Sequence, residues 1–336
     1  MDAGLVVAVV LAVGFAVTNG LHDASNAIAT LVATRAASPG QAIVLASVFN
    51  LLGPLVIGAA VADTIAGIVS VSASDAIGVI GAGLAAAVAW NLITWRFGIP
   101  SSSGNALVGG LVGASLLEGG IHAVNWGGMD GIHPVGVIGT LIALAVSPVL
   151  GALGAFLVIV GLRRIAHRAT RRWVPPVRSA QWVTSAALAF SHGANDAQKS
   201  VGVIAALLLA TGHVQTLSAP IWAEVACAVA LTAGTALGGW RIIKTVGRRI
   251  YRISAIEGLS SQATSAGVIL GASLVGGPTS TTQVVASSVV GVGLGRKRLR
   301  HVHWLIVREM GLAWLITIPA TAVLAAAIYG AEQWLG

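Results

Sequence analysis

The sequence predicts an all-α polytopic membrane protein of about 10–12 transmembrane segments, built as two inverted copies of one unit with broken helices and re-entrant hairpins. Three observations carry this reading. Only 9% of the 336 residues are charged and 56% are hydrophobic, with a mean hydropathy of +0.89; soluble domains carry about 25% charged residues. The chain divides into ten apolar runs, and an acid-centred motif occurs in both halves.

The runs are 5–34, 41–62, 77–95, 99–117 and 135–162, then 181–210, 219–240, 260–276, 279–295 and 304–330. Most approach the roughly 20 residues that cross a bilayer. Runs 99–117 and 279–295 are short, and each reads alternatively as a hairpin with a neighbouring half-helix. If every run crosses once, the loops alternate sides, and charge tests that. One set, with its flanks, holds Arg35, Arg96, six arginines between Arg163 and Arg178, then Arg241 to Arg252, Arg296 to Arg300, and Arg308. Of the 19 Lys and Arg, only Lys199 lies elsewhere, inside a run. The opposite loops carry Asp63, Asp75, Glu118, Asp130 and Glu332. Positive-inside asymmetry places the basic loops in the cytoplasm and both termini outside, in the plasma membrane. Five runs per half mean that the second copy enters from the opposite side. The repeats are assigned to 1–162 and 181–336, joined by a basic linker at 163–180. The net charge of +8 is thus spent on topology, and no basic domain long enough for nucleic acid exists.

The first run contains Thr18-Asn-Gly-Leu-His-Asp-Ala-Ser-Asn26, and the sixth contains Ser191-His-Gly-Ala-Asn-Asp-Ala-Gln-Lys199. A shift of 173 positions carries Gly20 onto Gly193 and Asp23 onto Asp196. An ionised carboxylate at mid-membrane costs at least about 2.5–3.5 kcal/mol, so intramembrane acids are usually functional. Gly20 beside polar residues suggests a helix interrupted around a cavity. Two further segments pair at a shift of 178: Pro100-Ser-Ser-Ser-Gly-Asn105 and Pro278-Thr-Ser-Thr-Thr-Gln283. Proline followed by hydroxyl residues reads as a helix start. A helix start at membrane depth offers free N–H groups and a partial positive charge, which suit an anion. Two such starts hold a tetrahedral oxyanion.

The acids repel that anion unless neutralised. A carboxylate with Asn26, Asn195, hydroxyls and carbonyls makes a hard-oxygen sodium site at Asp23 and Asp196. Alternatively, Asp23 and Asp196 carry protons, with His22 sharing one. Lys199 stands three residues after Asp196 and pairs with it or meets the ligand. His192 reads as a hydrogen-bonded packing residue. The single Cys227 excludes a disulfide or a cysteine-ligated metal within one chain. Two buried aspartates also allow an intramembrane aspartyl protease, although hydroxyl partners are not needed for that chemistry.

The four motifs resemble the paired signatures of the inorganic phosphate transporter (PiT) family, in the right order and over residues 5 to 330. The resemblance implies a secondary carrier, not an enzyme, that imports inorganic phosphate by alternating access with a proton or sodium. By it, Asn26, Asn195, Ser101, Ser102, Ser103, Thr279, Ser280, Thr281 and Thr282 line the phosphate site. Asp23, Asp196, His22 and Lys199 handle the coupling cation or proton. The motifs depart from the common pattern at His22, which replaces Asn, and at Gln198-Lys199, which replaces the Ala-Asn of sodium-coupled members. Both are similar to the bacterial low-affinity branch, associated with proton coupling and with neutral metal–phosphate complexes carrying a divalent cation. Gly104 and Asn105 also replace a hydroxyl residue and a frequent His. The proton is therefore favoured over sodium. Another oxyanion such as sulfate remains an alternative cargo. The expected partners are phosphate, the lipid bilayer and a second copy in a homo-oligomer.

Overall fold

The computed structural model describes residues 3–99, 101–165, 173–237, 253–296 and 302–335, without the side chains of 24–26, 165 and 335. Expectations resting on the Asn26 side chain, on Pro100 and on most of the basic loops lie outside the described residues. The first half contains α1 (Ala3–Ala33), α2 (Pro39–Val56), the short α3 (Ala60–Ala66), α4 (Ala76–Phe97), α5 (Ser103–Gly119) and α6 (Gly136–Ile165). A small antiparallel ribbon, β1 (Gly128–Asp130) with β2 (His133–Val135), precedes α6. The second half contains α7 (Val174–Ala210), α8 (Ile221–Leu237), α9 (Ala255–Leu274), α10 (Thr281–Gly295) and α11 (Trp304–Leu335). Each apolar run of the sequence contains one helix, except 41–62, which breaks between α2 and α3. Six of the described helical spans are long and apolar enough to cross a membrane, including α1, α6 and α11; α8 and α10 are shorter apolar helices.

Helices pack across the halves in matched pairs. α1 lies on α8 and α2 on α7, while α5 lies on α11 and α6 on α10. Exchanging α1 with α7, α2 with α8, α4 with α9, α5 with α10 and α6 with α11 maps each of these packings onto another. Glycine permits the crossings nearest the acids. A Cβ at Gly20 would strike Leu231 O and lie 2.9 Å from Thr235 N; one at Gly193 would strike Asn50 O and lie 2.7 Å from Asn50 Cα. Such backbone contact needs a residue with no side chain.

This explains one correction. α1 and α7 run unbroken through both acid motifs, so Gly20 and Gly193 serve close packing rather than helix interruption. The break falls instead after Val56, where Gln198 of α7 satisfies the freed backbone. Its Oε1 accepts from Val61 N at 3.0 Å and its Nε2 donates to Gly58 O at 2.5 Å, as buried irregular backbone requires. A second correction concerns the helix starts. α5 and α10 begin at Ser103 and Thr281, capped by Ser102 and Ser280. Pro278 sits before the cap, in extended chain, so the hydroxyl residue rather than the proline initiates the helix.

Candidate functional site

Asp196 is fully buried in the middle of α7. Its Oδ1 accepts from Lys199 Nζ at 2.5 Å, and its Oδ2 lies 2.9 Å from His192 Nε2, one helical turn away. Thr281 of α10 reaches Oδ2 at 3.5 Å. The other ring nitrogen of His192 lies 3.0 Å from Asn50 Oδ1. Asn50 is fixed in turn, because its Nδ2 donates to Thr235 Oγ1 at 3.0 Å while that hydroxyl donates to Leu231 O. Asn50 Oδ1 is therefore an acceptor and His192 Nδ1 must donate. Nε2 then faces the carboxylate as an ion-pair contact at 2.9 Å.

The first acid repeats this arrangement with different neighbours. His22 Nδ1 lies 2.9 Å from Asp23 Oδ1, and its Nε2 lies 3.2 Å from the carbonyl of Ile99 and 3.2 Å from Thr94 Oγ1. A carbonyl only accepts, so Nε2 donates, and the hydrogen bond between Nδ1 and Asp23 Oδ1 needs a proton on one or the other. Asp23 Oδ1 further accepts from Thr282 Oγ1 of α10 at 2.6 Å. One helix start thus touches both acids, through Thr282 at Asp23 and Thr281 at Asp196.

The start of α5 reaches the same place. A Cβ built on Gly104 would stand 3.2 Å from Lys199 Nζ and 3.8 Å from Thr279 O. The structure therefore brings together Asp23, His22, Asp196, Lys199, Thr279, Thr281, Thr282 and the first turn of α5. Ser102 and Ser280 spend their hydroxyl oxygens on the caps, accepting from Asn105 N at 3.2 Å and Gln283 N at 3.4 Å. Each cap satisfies one of the N–H groups that a helix start leaves unpaired, and the rest remain for a ligand. The hydroxyls of Ser103 and Thr279 are buried with no hydrogen-bond partner among the described residues. So are both side-chain polar atoms of Asn19, one turn before Asp23. Unpaired buried polar atoms are costly, and a polar ligand would satisfy them.

Two expected ligands are engaged in scaffolding. Ser101 Oγ accepts from Trp90 Nε1 at 3.0 Å and pairs with Thr317 Oγ1 at 2.9 Å. Asn195 accepts from Thr279 N at 3.0 Å and donates to Ser273 Oγ and Gly277 O, which pins the extended chain before α10. His192, Asn50 and Gln198 were not assigned to the site from sequence. His192 had a signal, since it stands one helical turn from Asp196. Asn50 and Gln198 act across helix crossings that sequence does not reveal.

The phosphate transporter family (PHO4) matches residues 19–325. The chain is 39% identical over 335 residues to a probable low-affinity inorganic phosphate transporter of Mycobacterium bovis, covering 99% of this chain and 78% of that protein. It is 38% identical to a protein of the same description from Bacillus subtilis, covering 96% and 95%. A solved structure described as the sodium-dependent phosphate transporter superposes with a TM-score of 0.85 at 26% identity, over 100% of both chains.

Proposed function

The chain belongs to the phosphate transporter family, and on that premise we propose that it is a secondary active importer of inorganic phosphate, coupled to protons rather than sodium. It is a membrane transporter and not an enzyme, so the protease alternative falls. In this reading the halves 1–162 and 181–336 are inverted repeats, joined by the basic linker at 163–180. The basic loops face the cytoplasm, and the short α5 and α10 end re-entrant hairpins at the midplane. The exchange-symmetric packing of the helices supports the repeat, as does the alternation of basic and acidic loops.

The observation that carries the proposal is the meeting of both helix starts at Lys199, between two acids that each lie 2.9 Å from a histidine nitrogen. Counting formal charges with both bridges protonated, Asp23 and Asp196 are balanced by His22 and His192, and Lys199 leaves one positive charge. Such a site attracts an anion; with a bridge deprotonated it loses that attraction. Phosphate would lie against Ser103, Thr279, Thr281, Thr282 and the unpaired N–H groups, as the free anion or as a neutral complex with a divalent cation. Asn26, Asn195, Ser101, Ser102 and Ser280 belong to the same cradle, the last four by shaping it. The local affinity of a helix start for phosphate supplies the recognition. Release of the protons on the inner side would expel the anion, which couples the two flows.

The test is uptake of labelled phosphate by proteoliposomes. In sodium-free medium an outside-acid pH gradient is expected to drive accumulation, a protonophore to collapse it, and arsenate to compete where sulfate does not. Equal accumulation driven by a sodium gradient at uniform pH would contradict proton coupling.

A further inference from the structure

Among the described residues Lys199 is the largest fully buried charged side chain, 1% exposed. Its Nζ lies 2.5 Å from Asp196 Oδ1 and donates to Thr279 O at 2.6 Å. A carboxylate and a carbonyl freed by extended chain before a helix are the oxygens that hard metal cations take. The first acid has no such occupant among its described partners. There, Thr282 donates its hydroxyl to Asp23. The internal repeat aligns Thr282 with Gly104 and Asn26 with Lys199. At the Asp196 pole the hydroxyl side chain is therefore missing, and a Cβ at Gly104 would crowd Lys199 at 3.2 Å from Nζ and 3.6 Å from Cε. Two breaks in the internal symmetry lie on opposite halves of the chain and meet in space, the glycine making room for the lysine.

We propose that the Lys199 ammonium is a resident cation, filling an oxygen site at the Asp196 pole that a transported metal cation would otherwise enter, and that Gly104 is the accommodation it requires. The inference rests on the symport reading and deepens it. It gives a physical reason for a chain to work without sodium at this pole, since the positive charge that phosphate needs is covalently tethered and never leaves. The extended chain before α10 holds the tether in register, because Asn195 fixes Thr279 N while Lys199 fixes Thr279 O. Cations moved per phosphate then fall by one relative to a site with two exchangeable poles.

Labelled sodium and labelled phosphate are counted in the same proteoliposomes under an inward sodium gradient, for the wild type and for Lys199→Asn combined with Gly104→Thr. The double variant removes the ammonium and places an amide and a hydroxyl beside Asp196, an all-oxygen set that sodium can enter. It is expected to carry one more sodium per phosphate than the wild type and to become sodium-stimulated by about tenfold, a change of ~1.4 kcal/mol in cation binding. An unchanged sodium-to-phosphate ratio in an actively transporting variant overturns the inference. No phosphate uptake by the wild type under either gradient would instead overturn the transport reading on which it rests. If the double variant does not purify as a single species, Lys199→Ala decides. Methylammonium, ammonium or sodium is expected to restore its uptake by about tenfold, and no restoration by any of them overturns the proposal.

Discussion

Asp196→Asn is expected to abolish phosphate uptake and to destabilise the folded chain by about 3–5 kcal/mol, the cost of removing one partner from a buried ion pair. The amide leaves the Lys199 ammonium, 1% exposed, with the carbonyl of Thr279 and a neutral oxygen among its described partners. It also removes the acceptor that His192 meets at 2.9 Å, while Asn50 still holds the other ring nitrogen. The stability loss is expected to be largely reversed by adding Lys199→Met, because two uncharged groups need no mutual compensation. Uptake is not expected to return. Thermal unfolding in detergent and uptake in proteoliposomes, measured on both single variants and the pair, separate the two effects. A single Asp196→Asn variant of wild-type stability would contradict the assigned ion pair.

Asp23→Asn is expected to behave differently. Its carboxylate is 3% exposed and has no lysine beside it among its described partners; it accepts from Thr282 at 2.6 Å and shares a proton with His22. Thr282 Oγ1 and a protonated His22 Nδ1 both meet Oδ1, so an asparagine oxygen in that place accepts from both and the fold keeps its contacts. The change in stability is expected to stay within about 1 kcal/mol. The amide cannot take up and release a proton, and uptake is expected to fall by about 100-fold, equivalent to ~2.7 kcal/mol. Proton-driven uptake by folded Asp23→Asn at the wild-type rate would remove Asp23 from the coupling machinery.

The contrast between the two acids shows what was legible in the sequence. Positions of the membrane segments follow from hydropathy because a bilayer demands long apolar helices, and α1 to α11 fall where the runs place them, apart from the division of α2 from α3. The recurrence of Asp23 as Asp196 pointed to the buried acid cluster that the structure assembles, since a buried acid is too costly to be duplicated without use. The backbone around the acids was not legible. Gly20 and Gly193 looked like helix breakers, yet each is consumed by a neighbouring helix that touches its Cα. That contact belongs to the packing of α1 on α8 and α2 on α7, which no local pattern encodes. Likewise Gly104 reads in isolation as a lost hydroxyl. Its meaning appears only when Lys199, 95 positions later in the chain, is found in the space it vacates. Ser101 and Asn195 carry the right chemistry for a phosphate ligand, and their hydrogen bonds go to Trp90, Thr317, Ser273, Gly277 and Thr279 instead. Residue type alone does not separate a ligand from the residue that holds a ligand in place.

The most direct measurement is the anomalous scattering of arsenic in crystals of the protein soaked with arsenate, a tetrahedral stand-in for phosphate. The account requires a single strong peak between the starts of α5 and α10 and between Asp23 and Asp196, with arsenate oxygens within about 2.5–3.0 Å of the Ser103 and Thr281 hydroxyls. A peak at any other position, or an empty midplane at arsenate concentrations that block uptake, would contradict it.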